Sequence, residues 1–225
     1  MSAVHPAGPA AAAIGALWWV MLAGSAAILA LVMGLVWLSF HRVRDAGSAR
    51  RERDPAAGER TFVWGLGLAF PLATLAALLA YGLVIGERLL PRAADDLVTV
   101  RAEGRQWAWT FGYADAPGRV TQNVLHIPAG RPVDVEITTA DVLHSFWVPR
   151  LAGKLDAVPG HVNRLRIEAW APGEYQGLGA EFNGVGYAGH RFTVRAHDAE
   201  GWAAFLTGTP PETPQRPETE TGETE

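Results

Sequence analysis

The sequence predicts two membrane-spanning helices followed by an all-β sandwich domain. Three observations favour this architecture: two long uncharged runs near the N-terminus, a basic loop between them, and a series of short β-rich segments after them. The chain has 225 residues, of which 49% are hydrophobic and 19% are charged. Its mean hydropathy of +0.08 is high for that charge content. Apolar and charged residues are therefore segregated along the chain.

The first uncharged run covers residues 11–40 and predicts a transmembrane helix. A helix of this length reaches about 45 Å, which exceeds the roughly 30 Å of a bilayer's hydrocarbon core. A cleaved signal peptide is the alternative, but it needs a basic segment before a short apolar core, and no Lys or Arg precedes Arg42. Residues 1–10 are expected to form an external N-terminal segment.

The second uncharged run covers residues 61–86 and predicts a second span, kinked or tilted at Pro71. The alternative is a buried core helix of a soluble protein. The loop 41–60 between the spans carries six arginines: Arg42, Arg44, Arg50, Arg51, Arg53 and Arg60. Only Arg88 and Arg92 follow the second span closely. The positive-inside rule makes the loop cytoplasmic and puts both termini on the other side, so we expect a multi-pass protein of a bacterial inner membrane with a periplasmic C-terminal domain.

Residues 87–209 are expected to form that external domain, an all-β sandwich or Greek-key barrel. Gly, Pro and Asp separate eight β-rich runs: 97–102, 106–113, 120–127, 132–138, 144–148, 162–170, 173–178 and 191–196. Segments 116–118, 128–130, 158–160 and 171–173 are predicted turns. A short helix over 198–206 is expected to turn Trp202 and Phe205 inward. The acidic tail 210–225 lacks large apolar residues, which predicts disorder.

The composition excludes several kinds of chemistry. The chain has no cysteine, so disulfides, thiolate metal sites, iron–sulfur clusters and thiol nucleophiles are excluded. Between residues 95 and 210 it carries 13 acidic and 10 basic side chains, a net charge of −3. This balance argues against a nucleic-acid partner and against strong electrostatic attraction of a basic redox protein. No hydrolytic triad can be inferred, and no catalytic residue is assigned to this chain.

Three segments of the external domain together resemble subunit II of the haem–copper respiratory oxidases. They are GRQWAWTF at 104–111, DVLHSFWVP at 141–149 and LDAVPGHVN at 155–163, and they follow a matching two-helix hairpin. The resemblance covers the chain up to about residue 206 and implies a cupredoxin-like fold for the β domain. It also implies that the chain is a noncatalytic part of a terminal oxidase complex.

In the cytochrome c oxidase branch, the resemblance implies a dinuclear copper centre bridged by two cysteines. The residues at the corresponding ligand positions are His144, Gly179, Asn183, Tyr187 and His190. Glu181 stands where that branch has a glutamate between its two cysteines. Both thiolates are absent, and neither glycine nor a neutral asparagine amide replaces a soft bridging anion. The sequence therefore predicts that this dinuclear centre cannot form.

The quinol-oxidising branch resembles this chain in lacking the copper. The loop GVGYAGH at 184–190 looks like the corresponding loop of the bo-type ubiquinol oxidases, although His144 and Glu181 depart from that branch and no cysteine is present for its lipid anchor. The resemblance implies a structural, non-redox subunit of a quinol oxidase that reduces oxygen to water. Haems and copper, and proton translocation, would belong to the partner catalytic subunit I. Subunit III, membrane lipid and the quinol substrate are the other expected partners.

Several residues keep two interpretations. His144 either packs under the loop or joins His190, with Glu181 or His161, in a mononuclear copper or zinc site. Glu181 either contributes to an interface magnesium, as the resemblance implies, or makes an ordinary polar contact. Trp107 is expected to pack beside Trp109 and Phe111 on one strand face rather than pass electrons.

Surfaces that contact the catalytic subunit are also implied by the resemblance. The expected interface residues are Ser145, Phe146, Trp147, Asp156, Pro159 and Gly160. Two alternative functions stay open at this point. One is subunit II of a cytochrome c oxidase with a degenerate copper site, and the other is a free-standing, membrane-anchored, cupredoxin-like metal binder.

Overall fold

Two long apolar helices open the chain. A computed structural model describes residues 4–45, 60–91 and 93–208. Helix α1 spans Pro9–Asp45, a π-helical segment spans Arg60–Ala69, and helix α2 continues from it over Phe70–Leu89. By length and composition, Pro9–His41 and Phe62–Leu89 are long and apolar enough to cross a membrane, with 33 and 28 residues. We predict that the loop between the helices is cytoplasmic, and its residues 46–59 lie outside the described residues. The acidic tail, for which we predict disorder, falls in residues 209–225, which also lie outside them.

The hydrogen-bonding pattern of the second helix changes at the proline that the sequence marked as a kink. Pro71 occupies the first turn of α2, immediately after the π-helical segment ends at Ala69. Proline has no N–H to donate, so a regular helical ladder is interrupted at this residue. The span is therefore continuous but changes from wide to regular helical turns near its start.

The residues before α1 pack against the β domain. The Ala7 N–H donates to the Arg150 carbonyl at 2.8 Å, and the Trp170 N–H donates to the Ala7 carbonyl at 2.9 Å. A Cβ at Gly8 would lie 2.0 Å from the Glu168 carbonyl oxygen, so only glycine permits this approach. The start of α1 is thus fixed to the β domain by backbone contacts.

The β domain is a sandwich of two five-stranded sheets. The first has the order β3-β2-β1-β5-β8 and the second β4-β10-β9-β6-β7. The strands are β1 Val98–Arg105, β2 Ala108–Tyr113, β3 Ala116–Gln122, β4 Val124–Pro128, β5 Val133–Thr139, β6 His144–Trp147, β7 Lys154–Ala157, β8 Asn163–Ile167, β9 Gly173–Gly179 and β10 Arg191–His197. Alternate residues are buried in β1 of the first sheet and in β10 of the second, so both sheets contribute one face to a shared core.

Three details of the predicted strands were wrong. The run 120–127 is two strands in different sheets, because Asn123 takes a positive φ of 55° and its side-chain oxygen accepts from the Trp109 N–H at 2.8 Å. Asparagine tolerates this left-handed conformation better than most residues, which lets the chain cross between sheets. The predicted turn at 116–118 instead begins β3, and β7 was not predicted at all.

A short helix closes one end of the sandwich. Helix α3 spans Ala199–Thr207, and the Asp198 side chain caps it by accepting from the Gly201 N–H at 2.8 Å. Trp202 and Phe205 are buried, as the sequence predicts. Gly208 ends the helix in the left-handed conformation. The helix packs over β4 and β10.

Candidate functional site

The candidate site lies where β6, β9 and β10 meet at one end of the second sheet. His144 is the first residue of β6, Gly179 is the last residue of β9, and His190 directly precedes β10. The Gly179 N–H donates to the His190 carbonyl at 2.7 Å, which closes the loop 180–190 on itself. The two imidazole rings come within 5.1 Å of each other, measured between ring centroids, with their planes 77° apart. The fold thus brings together the two histidines that the sequence singled out.

The side chain of Asn183 lies between these two histidines. Its Nδ2 atom is 2.6 Å from Nδ1 of His144 and 2.9 Å from Nδ1 of His190. An amide NH₂ has two hydrogens to donate, and an unprotonated imidazole nitrogen accepts one. Asn183 therefore bridges the two rings by donating one hydrogen bond to each. All three side chains are buried, with at most 5% of their surface exposed.

Asp141 fixes the outer nitrogen of His144. The Asp141 carboxylate accepts from Nε2 of His144 at 2.7 Å and from the backbone N–H of Gln106 at 2.8 Å. Burial alone would raise the pKa of Asp141, but hydrogen bonds from Gln106, His144 and Val142 outweigh it and lower the pKa to about 2. The carboxylate is ionised at neutral pH, which keeps the proton of His144 on Nε2 and leaves Nδ1 free to accept from Asn183.

His190 is held as a neutral ring by its surroundings. Its imidazole stacks on the buried indole of Trp109, with centroids 5.4 Å apart and planes 15° apart. Burial is the main cause that lowers the pKa of His190, and the neighbouring His144 lowers it further. A neutral imidazole matches the role of acceptor at Nδ1 that the Asn183 hydrogen bond requires.

Gly179 leaves no room for a side chain. A Cβ built at this residue would lie 2.5 Å from Nδ1 of His190 and 2.9 Å from its Cγ. The ring of His190 therefore occupies the space into which any larger residue at position 179 would extend. In the resemblance, this is one of the two positions from which a cysteine would bridge copper.

Trp107 takes a different place from the one predicted. It lies in the two-residue connection between β1 and β2 and is 42% exposed, whereas Trp109 and Phe111 are fully buried. The prediction of a shared strand face was wrong because β2 begins only at Ala108. The indole instead covers the loop: a Cβ at Gly186 would lie 2.5 Å from the Trp107 ring. The neighbouring Gln106 side chain donates to the Asn183 carbonyl and ties the same loop down.

The residues present do not fit the dinuclear copper centre that the fold family implies. A pair of copper ions bridged by thiolates needs two soft anionic ligands, and the corresponding residues here are Gly179 and Asn183. Within residues 4–45, 60–91 and 93–208, no three His, Cys, Asp or Glu side chains converge as metal ligands. The donors that do converge are one nitrogen each of His144 and His190, and Asn183 occupies the position between them.

The other predicted site residues lie at the surface of the same loop or beyond it. Glu181 is partly exposed and accepts from the Phe182 N–H at 3.0 Å. Tyr187 is 46% exposed and packs against the ring of Phe182, with centroids 5.2 Å apart. His161 is exposed in the turn after β7, where its Nε2 lies 3.1 Å from the Asn163 side-chain oxygen. The expected interface magnesium at Glu181 stays a prediction.

The predicted subunit interface needs a correction at two residues. Ser145 and Phe146 are fully buried, because β6 pairs with β7 on one side and β9 on the other and is covered on both faces. The Ser145 hydroxyl donates to the Asp156 carboxylate inside the domain. The remaining predicted residues reach the surface: Trp147 and Asp156 are partly exposed, and Pro159 and Gly160 are exposed.

An exposed apolar surface surrounds the buried cluster. Phe182 is 69% exposed and Val185 98% exposed, and both belong to the loop that carries Asn183. Val142 and Leu143, which precede His144, are about 40% exposed. Exposed apolar side chains that lie close together are typical of a surface that another protein or a membrane covers. No predicted interface residue lies in this loop.

Sequence reasoning also missed the roles of Asp141 and Asn183. Asp141 stands three residues before His144 in the segment 141–149, and Asn183 stands at a position where the resemblance implies a copper ligand. The hydrogen bonds that connect them depend on how β6 and the loop 180–190 meet in space. No local pattern in the sequence encodes that contact.

Comparisons with known proteins agree with this fold. Residues 118–196 match the family model described as "Cytochrome C oxidase subunit II, periplasmic domain". A protein of Alkalihalophilus pseudofirmus named cytochrome c oxidase subunit 2 is 37% identical over 129 residues, which cover 57% of this chain and 37% of the relative. The cytochrome bo(3) ubiquinol oxidase subunit 2 of Pseudomonas aeruginosa is 31% identical over 116 residues, 50% of this chain and 35% of the relative.

A solved structure is similar in the same region. The periplasmic domain of subunit II of the cytochrome oxidase of Bradyrhizobium japonicum superimposes with a TM-score of 0.50 at 25% identity, covering 53% of this chain and 96% of that chain. The matched part of the chain spans little more than a third of the curated relatives, at 37% and 35% of their lengths. Relatives of both the cytochrome c and the quinol type match at comparable identity.

Proposed function

We propose that this chain is the structural, non-redox subunit II of a membrane-bound quinol oxidase, because residues 118–196 match the family model of the periplasmic domain of cytochrome c oxidase subunit II and relatives of the quinol-oxidase type match this chain. In this role the chain braces the catalytic subunit and covers its external face, and it carries no electrons itself. The complex oxidises a membrane quinol, reduces oxygen to water and translocates protons through the partner subunit. The proposed location is a bacterial inner membrane with the β domain in the periplasm.

The bridge formed by Asn183 is the observation that carries this proposal. A redox-active copper pair would need donor atoms from His144 and His190, but Asn183 donates a hydrogen bond to Nδ1 of each ring, at 2.6 and 2.9 Å. Gly179 contributes no side chain to the same region. A subunit without its own electron carrier suits a complex whose reductant arrives within the membrane rather than from a soluble protein.

The surface around the cluster supports a role in binding another subunit. The exposed side chains of Phe182, Val185 and Leu143 form an apolar area next to the partly exposed Trp107. Helices α1 and α2 expose apolar side chains along most of their length. Small residues in α1, including Gly15 and Gly24, have open space around them and would let a partner helix approach closely.

Purification of the native complex tests the proposal. The complex that contains this chain should oxidise ubiquinol rapidly and reduced cytochrome c slowly, and it should co-purify with a haem-containing catalytic subunit. Copper analysis of the separately purified full chain should give no stoichiometric metal. Rapid oxidation of cytochrome c with no activity toward ubiquinol would overturn the quinol assignment.

A second candidate is subunit II of a cytochrome c oxidase with a degenerate copper site. It is favoured by the 37% identity to the relative of that name and by the exposure of Trp107 directly beside the buried cluster. The substrate comparison above separates the two candidates. Stoichiometric copper or zinc on the isolated full chain that is lost in a His190→Ala variant would instead favour a free-standing metal binder.

A further inference from the structure

A cavity of about 330 Å³ lies where the membrane hairpin meets the β domain. Its wall is formed by the first residues of α1, the last residues of α2 and the end of β8. The lining includes Ala10, Ala13, Arg88, Leu89, Arg166 and Glu168. None of these residues belongs to the cluster around Asn183, so this cavity is a separate feature of the chain.

The cavity lies at the depth of the phospholipid headgroup layer. The 33-residue span begins at the cavity and the 28-residue span ends there. Helices of these lengths reach about 40 to 50 Å, which exceeds the roughly 30 Å hydrocarbon core and extends into the headgroup layers. The cavity therefore opens at the boundary between hydrocarbon and water, on the side where the β domain lies.

The lining is amphiphilic in the way that a phospholipid is. Ala10, Ala13 and Leu89 are partly exposed and contribute apolar surface to the cavity. Arg88 in the last turn of α2 and Arg166 on β8 supply guanidinium groups. Guanidinium groups bind phosphate oxygens through charge-assisted hydrogen bonds that are stronger than neutral ones.

Asp134 holds the Arg166 side chain in one orientation. Its Nε and Nη2 atoms donate to the two carboxylate oxygens of Asp134 at 2.7 and 3.0 Å, across the paired strands β5 and β8. Asp134 is only 2% exposed, whereas the Arg166 side chain is 20% exposed. A bidentate pair uses two of the five N–H groups of arginine, so donors remain for a ligand at the open side.

The charge balance of the cavity selects a zwitterionic headgroup. Asp134 neutralises Arg166, so Arg88 and the partly exposed Glu168 leave one positive and one negative group at the same opening. A purely anionic headgroup would be repelled by the Glu168 carboxylate and would offer it no cation. A headgroup with a phosphate and a primary ammonium pairs with both charged side chains, because the phosphate accepts from Arg88 and the ammonium donates to Glu168. We propose that this cavity binds the phosphoethanolamine headgroup of a membrane phospholipid.

This proposal is independent of the function proposed above. A lipid bound here would contact α1, α2 and the β domain at once and fix their relative orientation. The trimethylated ammonium of phosphatidylcholine has no N–H to donate to Glu168, and phosphatidylglycerol has no cation. Phosphatidylethanolamine is therefore expected to bind more tightly than either of them.

Native mass spectrometry of the delipidated full chain in detergent tests the site. The chain is incubated with phosphatidylethanolamine, phosphatidylglycerol or phosphatidylcholine of identical acyl chains, and the retained lipid is counted. We expect phosphatidylethanolamine to bind about tenfold more tightly than either of the other lipids, because it makes one additional charge-assisted hydrogen bond, to Glu168. Arg88→Gln should weaken this binding about tenfold, and the charge-retaining Arg88→Lys should keep most of it.

Two further variants make the test specific. Glu168→Gln should remove the preference for phosphatidylethanolamine over phosphatidylglycerol, because the ammonium loses its acceptor. Arg191→Gln is the matched control, since Arg191 is exposed on β10 and does not line the cavity. Equal retention of the three lipids, or equal losses in Arg88→Gln and Arg191→Gln, would overturn the proposal. Displacement of the lipid by inorganic phosphate alone would show a simple anion site and would also overturn it.

Discussion

The β domain contains two pairs of neighbouring histidines that differ in how their nitrogens are satisfied. In the first pair, His144 and His190 lie nearly perpendicular, 77° apart, and Asn183 bridges their Nδ1 atoms. In the second pair, the rings of His126 and His197 stack with planes 10° apart, and Nδ1 of His126 lies 2.8 Å from Nε2 of His197. Both pairs are buried or half-buried, and burial lowers the pKa of His190 in the first pair and of both rings in the second.

The difference shows what kind of site each pair can form. The stacked rings satisfy each other directly, and the aromatic ring of Phe205 covers them, with its centroid 4.3 Å from that of His126. That arrangement leaves no common point for a third atom. The nitrogens of His144 and His190 instead converge on one shared position, as ligand nitrogens do, and an amide of the loop 180–190 occupies it. Residue 183 therefore decides whether the first pair is structural or able to bind something else.

The largest effect is expected when the bridge is removed. Asn183→Leu keeps the volume of the side chain but leaves Nδ1 of both His144 and His190 buried without a donor. Each unsatisfied buried group costs about 1–3 kcal/mol, so the free energy of unfolding should fall by about 3 kcal/mol. The measurement is denaturant unfolding of the full chain in detergent, followed by tryptophan emission, because Trp109 stacks on His190.

Asn183→Asp separates the bridge from simple packing. A carboxylate of the same shape can accept but not donate, so both imidazoles would have to carry a proton on Nδ1 to keep the contact. The variant should therefore regain stability as the pH falls below the ordinary histidine pKa, whereas Asn183→Leu should not. Unchanged stability in both variants would show that Asn183 does not bridge the pair.

A smaller effect is expected from filling the space beside His190. The Cβ of Gly179→Ala would lie 2.5 Å from Nδ1 of a ring that is 1% exposed and stacked on Trp109, so the ring must move. Overpacking of this kind costs about 2 kcal/mol. Gly189→Ala is the matched control in the same loop, because a Cβ there meets no atom within 4 Å. Equal stability of the two variants would contradict the tight approach of His190 to Gly179.

Some of this site was predictable because its chemistry depends on residue identity. The lack of cysteine, with Gly179 and Asn183 at the thiolate positions of the resemblance, excluded one metal centre without any coordinates. The two spans and the β-rich segments were also visible, because long uncharged runs and turn residues are local signals. The sheet change at Asn123 was not visible, since a single asparagine has no distinctive pattern until its side chain meets the Trp109 N–H.

The pair formed by His126 and His197 could not be found from the sequence at all. The two residues are 71 positions apart and meet only because β4 and β10 pair in parallel. His126 lies inside the predicted run 120–127, and His197 falls between the predicted run 191–196 and the predicted helix 198–206. Their contact, like the bridge at Asn183, is a product of topology, and sequence periodicity reports only which face of a strand a residue occupies.

The smallest expected effect distinguishes the stacked pair through its pH dependence. Burial is the main cause that lowers the pKa of His126 to about 4, and His197, Arg195 and Arg119 lower it further. Burial and Arg195 lower the pKa of His197, while Asp198 raises it. In the unfolded chain these rings take up protons near the ordinary pKa of about 6.5. The unfolded state therefore binds more protons between the two values, and stability is lost as the pH falls through this window.

His126→Asn should remove part of that dependence. The amide keeps a polar atom near Nδ1, where it can still contact His197, but it does not titrate. Between about pH 7.5 and about pH 4.5, the wild-type chain should lose about 1 kcal/mol more than the variant, after allowance for partial exposure of the ring. His190 also contributes to the slope through its lowered pKa, but equally in both chains. Asp141 titrates only near pH 2 and lies outside the window.

His161→Asn is the control, because His161 is exposed, and it should retain the wild-type slope. Should His126→Asn retain that slope as well, the stacked pair would be protonated in the folded state, and its contrast with the bridged pair would disappear.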